Sequence, residues 1–270
     1  MKLALAQLGV EATDLDGNLD RALAAIDAAT ARDADLLALP ELWNVGYFSF
    51  DAYPRAAESI TGSTLSELSD AAAERGLALL AGSIVEDLAA SADAGVDVPE
   101  PEGLANTAVL FDADGERRAV YRKHHLFGYE SAETRLLTPG EALPVVDMFG
   151  FGIGAITCYD LRFPEQFRAL TDAGATLVLV PSAWPYPRVE HWETLPRARA
   201  VENLAYVATV NGAGAFEDAE LLGRSTVYDP WGTTIASTDD EPALVTAEID
   251  PGRVERVREE FPALRDRRDY

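Results

Sequence analysis

Three residues in this chain are of the types that acyl transfer requires, and each follows an apolar run. Glu41 follows ADLLALP, Lys123 ends RAVYRK, and Cys158, the only cysteine, follows GIGAIT. A thiol beside a carboxylate that can take its proton is a nucleophile with a general base. A nearby ammonium can stabilise the oxyanion that forms on an attacked carbonyl. Lys123 is informative because the chain has twenty Arg and only two Lys, Lys2 and Lys123; arginine could have supplied mere positive charge. Each residue also has a plainer reading. A lone cysteine is often a core residue, an acid after proline can be a solvated loop carboxylate, and a lysine at a strand end can be a surface cation.

The elements that must position these residues alternate between strands and helices. KLALAQLGV, ADLLALP, LALLAGSIVED, ATLVLVP, AYVATVNGAG and LVTAEID have the length and apolar content of strands. TAVLFDADGERRAVYRK, PVVDMFGFGIGAIT and STVYDPWGTTIAS read as hairpins, the first around Asp-Gly. Helices are expected over GNLDRALAAIDAATARDA with Asp16 or Asn18 as cap, STLSELSDAAAERG with Ser63 as cap, and LRFPEQFRALTDAG. WETLPRARAVENL, with Pro196 in a first turn or at a kink, and PGRVERVREEF are also helical by pattern. Residues 88–105 read as a polar surface loop, and 259–270 as a polar tail. The economical organisation is one α/β domain over 1–270. Glu41, Lys123 and Cys158 then all stand at carboxyl ends of strands, where open α/β sheets place their sites. Cys158 precedes a helix start, whose dipole is expected to lower the thiol pKa, and a nearby Lys123 would lower it further.

Composition excludes several classes. The net charge of −24 leaves no basic footprint for nucleic acid, and no apolar run reaches the length of a membrane span. A single cysteine rules out an intrachain disulfide framework, and MKLALAQLGVEATD turns polar too soon for a secretory signal, so a cytoplasmic protein is expected. The acidic excess is of a kind used in salt-rich cytoplasm, which makes a halophilic host a working expectation. His124, His125 and His191 are too few and too poorly spaced, with Cys158, for a paired-ligand metal site; no metal and no cofactor are expected. No G-x-S-x-G elbow occurs. GFGIGA fits G-x-G-x-x-A, but AIT continues it as strand where a dinucleotide fingerprint needs a helix.

LPELW around Glu41, YRKHHLFGYE around Lys123 and TCYDLRFPE around Cys158 resemble, in order and separation, the three motifs of the carbon–nitrogen hydrolases, the nitrilase superfamily. The similarity runs from KLALAQ to VREEFPALRD. It implies a four-layer α/β/β/α sandwich and a Glu41–Lys123–Cys158 triad. A second glutamate is implied seven or eight residues after the lysine, where Glu130 stands, with Glu133 as the weaker candidate. The Tyr159 N–H is implied as an oxyanion donor beside Lys123. The implied reaction is hydrolysis of a small-molecule amide through a cysteine thioester, in a homodimer or higher homo-oligomer. CYDLRFPE, PSAWP and RARAVEN resemble the amidase branches, particularly ω-amidase-like and deaminated-glutathione-amidase-like members, more than the nitrilases. Conversion of a nitrile, or a silent binding module on the same scaffold, are the alternatives. Trp184, His191 and Trp192 are candidates for the pocket wall or for packing beneath a loop. Arg162, Arg197 and Arg199 are candidates for a substrate carboxylate or for helical salt bridges.

Overall fold

The computed structural model describes residues 1–129, 131–217 and 219–268. The expected strands form as β1 (Lys2–Gln7), β2 (Leu36–Ala38), β3 (Ala78–Asp87), β4 (Leu104–Phe111), β5 (Arg117–Arg122), β6 (Val145–Met148) and β7 (Phe151–Ala155). They continue as β8 (Leu177–Ser182), β9 (Tyr206–Asn211), β10 (Ala213–Phe216), β11 (Ala219–Leu222), β12 (Thr226–Tyr228), β13 (Thr234–Ser237) and β14 (Ala243–Glu248). One six-stranded sheet has the order β14-β1-β2-β3-β4-β5, a second has β13-β12-β9-β8-β7-β6, and β10 and β11 form a small ribbon. Each large sheet has three parallel strands, β1–β3 or β7–β9, flanked by antiparallel ones.

Alternation along these strands explains the layering. Leu3, Leu5, Leu36, Leu80 and Leu110 from the first sheet share one cluster with Ile153, Leu177, Leu179 and Ala208 from the second, filling the space between them. The intervening residues Ala4, Leu37 and Leu79 pack outward against Ala22, Ile26, Leu65 and Leu68 of helices Leu15–Thr30 and Ser63–Ala73. Helices Pro164–Asp172 and Val189–Asn203 cover the second sheet through Phe167, Leu170, Trp192 and Ala200. Each fully buried leucine stabilises the fold by about 1.5–3 kcal/mol. The result is the α/β/β/α sandwich. The glycines of GFGIGA serve that packing: a Cβ on Gly152 would lie 2.2 Å from the Gly174 carbonyl oxygen, and one on Gly154 3.0 Å from Leu170. Among the described residues no helix is long and apolar enough to cross a membrane.

Several local expectations are corrected. Asp14 caps the first helix through the Gly17 N–H, while Asn18 is buried and ties the chain at Glu11 to Asn44. Gly62 occupies the cap position before Ser63. Residues Leu88–Asp93 of the supposed loop form a short helix capped by Asp87. Pro196 lies in mid-helix, because the helix already begins at Val189. The chain after Cys158 first makes a 3₁₀ turn, Cys158–Arg162, and the α-helix starts only at Pro164. Proline fixes its own φ and disfavours α geometry in the residue before it, so the helix cannot begin sooner.

Candidate active site

The loop carrying Glu41 leaves β2 and is held against a bulge in β3. Register shifts between Leu80 and Ser83, the Pro40 carbonyl accepts the Ser83 N–H at 3.1 Å, and the Ser83 hydroxyl accepts the Leu42 N–H at 3.0 Å. Gly82 sits at φ +62°, and a Cβ there would lie 2.0 Å from the Pro40 carbonyl oxygen. The close approach that delivers Glu41 thus requires glycine. Lys123 follows β5 directly, its N–H donating to the Asn106 carbonyl at 2.9 Å. Cys158 lies three residues past β7 at φ +46°, an uncommon conformation for a residue with a side chain. Asp160 braces that bend. One of its oxygens accepts the Thr157 N–H at 3.0 Å and the Tyr121 hydroxyl at 2.5 Å, and the other accepts the His125 N–H at 3.0 Å. The cysteine turn is thereby fastened to the chain just beyond Lys123.

These supports bring Glu41, Lys123 and Cys158 to one point, where all are nearly inaccessible. Glu41 Oε1 accepts from Lys123 Nζ and from Asn106 Nδ2, both at 2.8 Å, and Oε2 accepts from the Ala183 N–H at 2.9 Å. Lys123 Nζ also donates to both oxygens of Glu133, at 2.8 and 3.1 Å. Glu133 further accepts from the Phe127 N–H at 2.6 Å and the Tyr47 hydroxyl at 3.1 Å, and the Tyr47 ring lies 5.3 Å from Nζ. The Cys158 thiol lies among Glu41, Lys123 and the Ala183 N–H.

Burial and charge set the protonation states. Burial raises the Glu41 pKa and Glu133 adds to the rise, with Lys123 opposing both. Burial alone would depress Lys123, but the Glu133 and Glu41 carboxylates outweigh it and hold the ammonium well above its usual value. Burial and the Glu41 carboxylate push the Cys158 thiol well above its ordinary value, and Lys123 offsets only part of that. The expected lowering of the thiol pKa is therefore corrected. The short 3₁₀ turn contributes little dipole, while desolvation of the thiolate is large. The site stores a thiol beside a base.

A cavity of about 270 Å³ opens onto the thiol, walled by Tyr47, Phe127, Tyr159, Arg162, Trp184 and Arg188 among others. Tyr159 and Trp184 of the sequence candidates are on that wall. His191 is not: it sits exposed on its helix and reaches the wall only through Arg162, its Nδ1 3.2 Å from Nη2. Trp192 packs behind Trp184, ring centroids 5.5 Å apart. Arg199 is committed to the Leu161 carbonyl and to Glu202, and Arg197 is exposed away from the cavity. Glu130 lies outside the described residues, and Glu133 is the second carboxylate found on Lys123. Asn106, Tyr47, Phe127 and Arg188 escape the sequence reading; the one signal was Asn106, a polar residue in the run LANTAVLF. Among the described residues no three His, Cys, Asp or Glu side chains are grouped so as to hold a metal ion.

Comparison with known proteins fits this geometry. Residues 2–259 match the carbon–nitrogen hydrolase family model. A 2-oxoglutaramate amidase of Paenarthrobacter nicotinovorans is 38% identical over 87% of this chain and 79% of its own length. The omega-amidase of Homo sapiens is 34% identical over 99% of this chain and 95% of its own. A crystal structure of a Saccharomyces cerevisiae member of branch 10 of the nitrilase superfamily superimposes with a TM-score of 0.87 at 32% identity, covering 100% of this chain and 97% of that one. A variant of an amidase from Nesterenkonia sp. AN1, 31% identical with a TM-score of 0.83 over 99% of this chain and 94% of that one, carries the acetamide moiety of fluoroacetamide on its active-site cysteine.

Proposed function

Because the chain belongs to the carbon–nitrogen hydrolase family, we propose that it hydrolyses a small amide that also bears a carboxylate, with Cys158 as nucleophile. The observation that carries this reading is the convergence of Glu41, Lys123 and Cys158 at one point, with Lys123 and Cys158 lining a cavity and Glu41 directly behind them. The Cys158 sulfur attacks the amide carbon while Glu41 takes the thiol proton. Lys123 and the Tyr159 N–H stabilise the oxyanion; one such donor is worth about 3 kcal/mol. Collapse breaks the C–N bond as Glu41 returns the proton to the nitrogen, releasing ammonia or an amine and leaving a thioester. A water then adds to the thioester, giving its proton to Glu41, and collapse expels Cys158, which is reprotonated. Glu41 regains its starting state after each half-reaction, so one carboxylate serves both. Glu133 keeps Lys123 charged and in place.

The carboxylate requirement follows from Arg162 and Arg188. Both line the cavity mouth, stacked near Trp184, Tyr159 and Phe127, yet neither has an acidic partner among the described residues. Acidic residues outnumber basic ones 46 to 22, so two arginines on one cavity wall without acidic partners among the described residues imply an anion from the substrate. A half-amide of a short dicarboxylic acid, the class to which 2-oxoglutaramate belongs, fits the volume. Ammonia release from a panel of amides and nitriles, with and without a second carboxylate, tests this. Cys158→Ala is expected to be inactive. Arg162→Met and Arg188→Met are each expected to raise KM about 10-fold or more for carboxylate-bearing amides only. Ammonia from nitriles alone, or equal KM changes for neutral amides, would overturn the reading.

We also propose that residues 1–270 act as a single domain in a salt-rich cytoplasm and pair into a homo-oligomer. Exposed Trp231 and Phe261, with ring centroids 5.9 Å apart, and exposed Val201 support pairing on the outer helical face; Phe261 belongs to the polar tail. Sedimentation across a salt series tests both points, a monomer at every salt concentration refuting assembly and indifference of the fold to salt refuting the halophilic reading.

A further inference from the structure

Glu41 has two carboxylate oxygens with about four acceptor sites between them. Three are filled: Lys123 Nζ and Asn106 Nδ2 on Oε1, and the Ala183 N–H on Oε2. The group left beside the carboxylate is the Cys158 thiol. Proton transfer in this site therefore depends on the donors that prevent Glu41 from turning. Two of them are otherwise accounted for, since Lys123 has the oxyanion to serve and Ala183 offers backbone.

Asn106 is different. It sits on β4, fully buried, and its side-chain nitrogen lies 2.8 Å from Glu41 Oε1 and 3.5 Å from Glu133 Oε1. Its own carbonyl oxygen accepts the Lys123 N–H, and its side-chain Oδ1 has no partner. An unpaired buried oxygen in a native structure calls for a reason. Here the amide is turned so that its NH₂ spans the two carboxylates and adds no charge. An aspartate would bring a third negative group, and an aliphatic residue would remove the donor.

We propose that Asn106 is a positioning residue: its amide holds Glu41 with one free lone pair toward the Cys158 thiol, while its main chain anchors Lys123. This rests on the assignment of Glu41 as the base. The ionisable groups facing Glu41 are Lys123 at the end of β5, Glu133, Cys158 after β7, Tyr47 in the loop beyond Glu41, and Tyr53 of the short helix Tyr53–Ala56. None of them changes when Asn106 is replaced. Loss of a donor to the ionised carboxylate favours the protonated form, so the acid limb of kcat/KM moves to higher pH.

The test is the pH profile of ammonia release by Asn106→Leu, which keeps the branched skeleton and removes the donor. The acid limb is expected about one pH unit above that of the parent, with kcat down roughly 10-fold or more and KM little changed. Asn106→Ser, smaller and unable to reach Glu41, carries the same expectation should the leucine variant not fold. A folded variant with the parental acid limb and kcat overturns the proposal, as does a loss confined to thermal stability. If the parent releases no ammonia from any amide, the functional reading has failed instead, and the two failures are told apart.

Discussion

Glu133→Gln is the most informative single change, because it removes a charge at the centre of the site while keeping the side chain's shape. The carboxylate accepts from Lys123 Nζ twice, from the Phe127 N–H and from the Tyr47 hydroxyl. A glutamine has one acceptor oxygen, and its NH₂ must face at least one of these donors. Breaking a buried ion pair costs about 3–5 kcal/mol. Lys123 retains Glu41, so the lower end applies, or a fall in Tm of roughly 6–12 °C for a chain of this size. The kinetic effect is expected to be larger than stability alone explains. A displaced ammonium forfeits an oxyanion donor, a loss of about 10²–10³ in kcat. The sign of the pH effect is also determined: Glu133 raises the Glu41 pKa, so its removal lowers it and the acid limb of kcat/KM moves down. That is opposite to the shift expected for Asn106→Leu. Initial rates of ammonia release across pH, with a thermal melt, read all three quantities. A folded variant with kcat within a few-fold of the parent and an unmoved acid limb would refute the role given to Glu133.

Two further changes probe the supports. Because the thiol titrates well above its ordinary value, no thiolate absorbance is expected from the free protein at neutral pH; Glu41→Gln, which removes the carboxylate that raises it, should bring the titration to lower pH, and an unchanged midpoint would sink the charge argument. Gly82→Ala is expected to abolish activity and lower Tm sharply, since its Cβ would meet the Pro40 carbonyl oxygen at 2.0 Å in a left-handed backbone; a parental melt and rate would mean that the Glu41 loop does not depend on that contact.

Much of the framework was legible from local pattern. Apolar runs of strand length and the Asp-Gly hairpin depend on side-chain alternation and turn chemistry, which neighbouring residues specify. Glu41, Lys123 and Cys158 stood out because each ends such a run, and strand ends are where a sheet must release its chain. Other features were set by residues far apart in sequence. That Glu133 meets Lys123 depends on how the chain beyond β5 folds back onto the ammonium; the family resemblance implied Glu130, which lies outside the described residues, before Glu133. Arg188 and Phe127 meet across a wall built from separate loops, and His191 faces solvent because its helix turns that side outward. The thiol is the sharpest case. The sequence placed a helix after Cys158 and so implied a lowered pKa. Pro164 delays that helix through its own local geometry, but only the packed structure buries the sulfur and sets a carboxylate beside it. Residue types and strand ends are local properties; desolvation and charge pairing are sums over everything the fold brings near, and they decide how the same three residues are protonated.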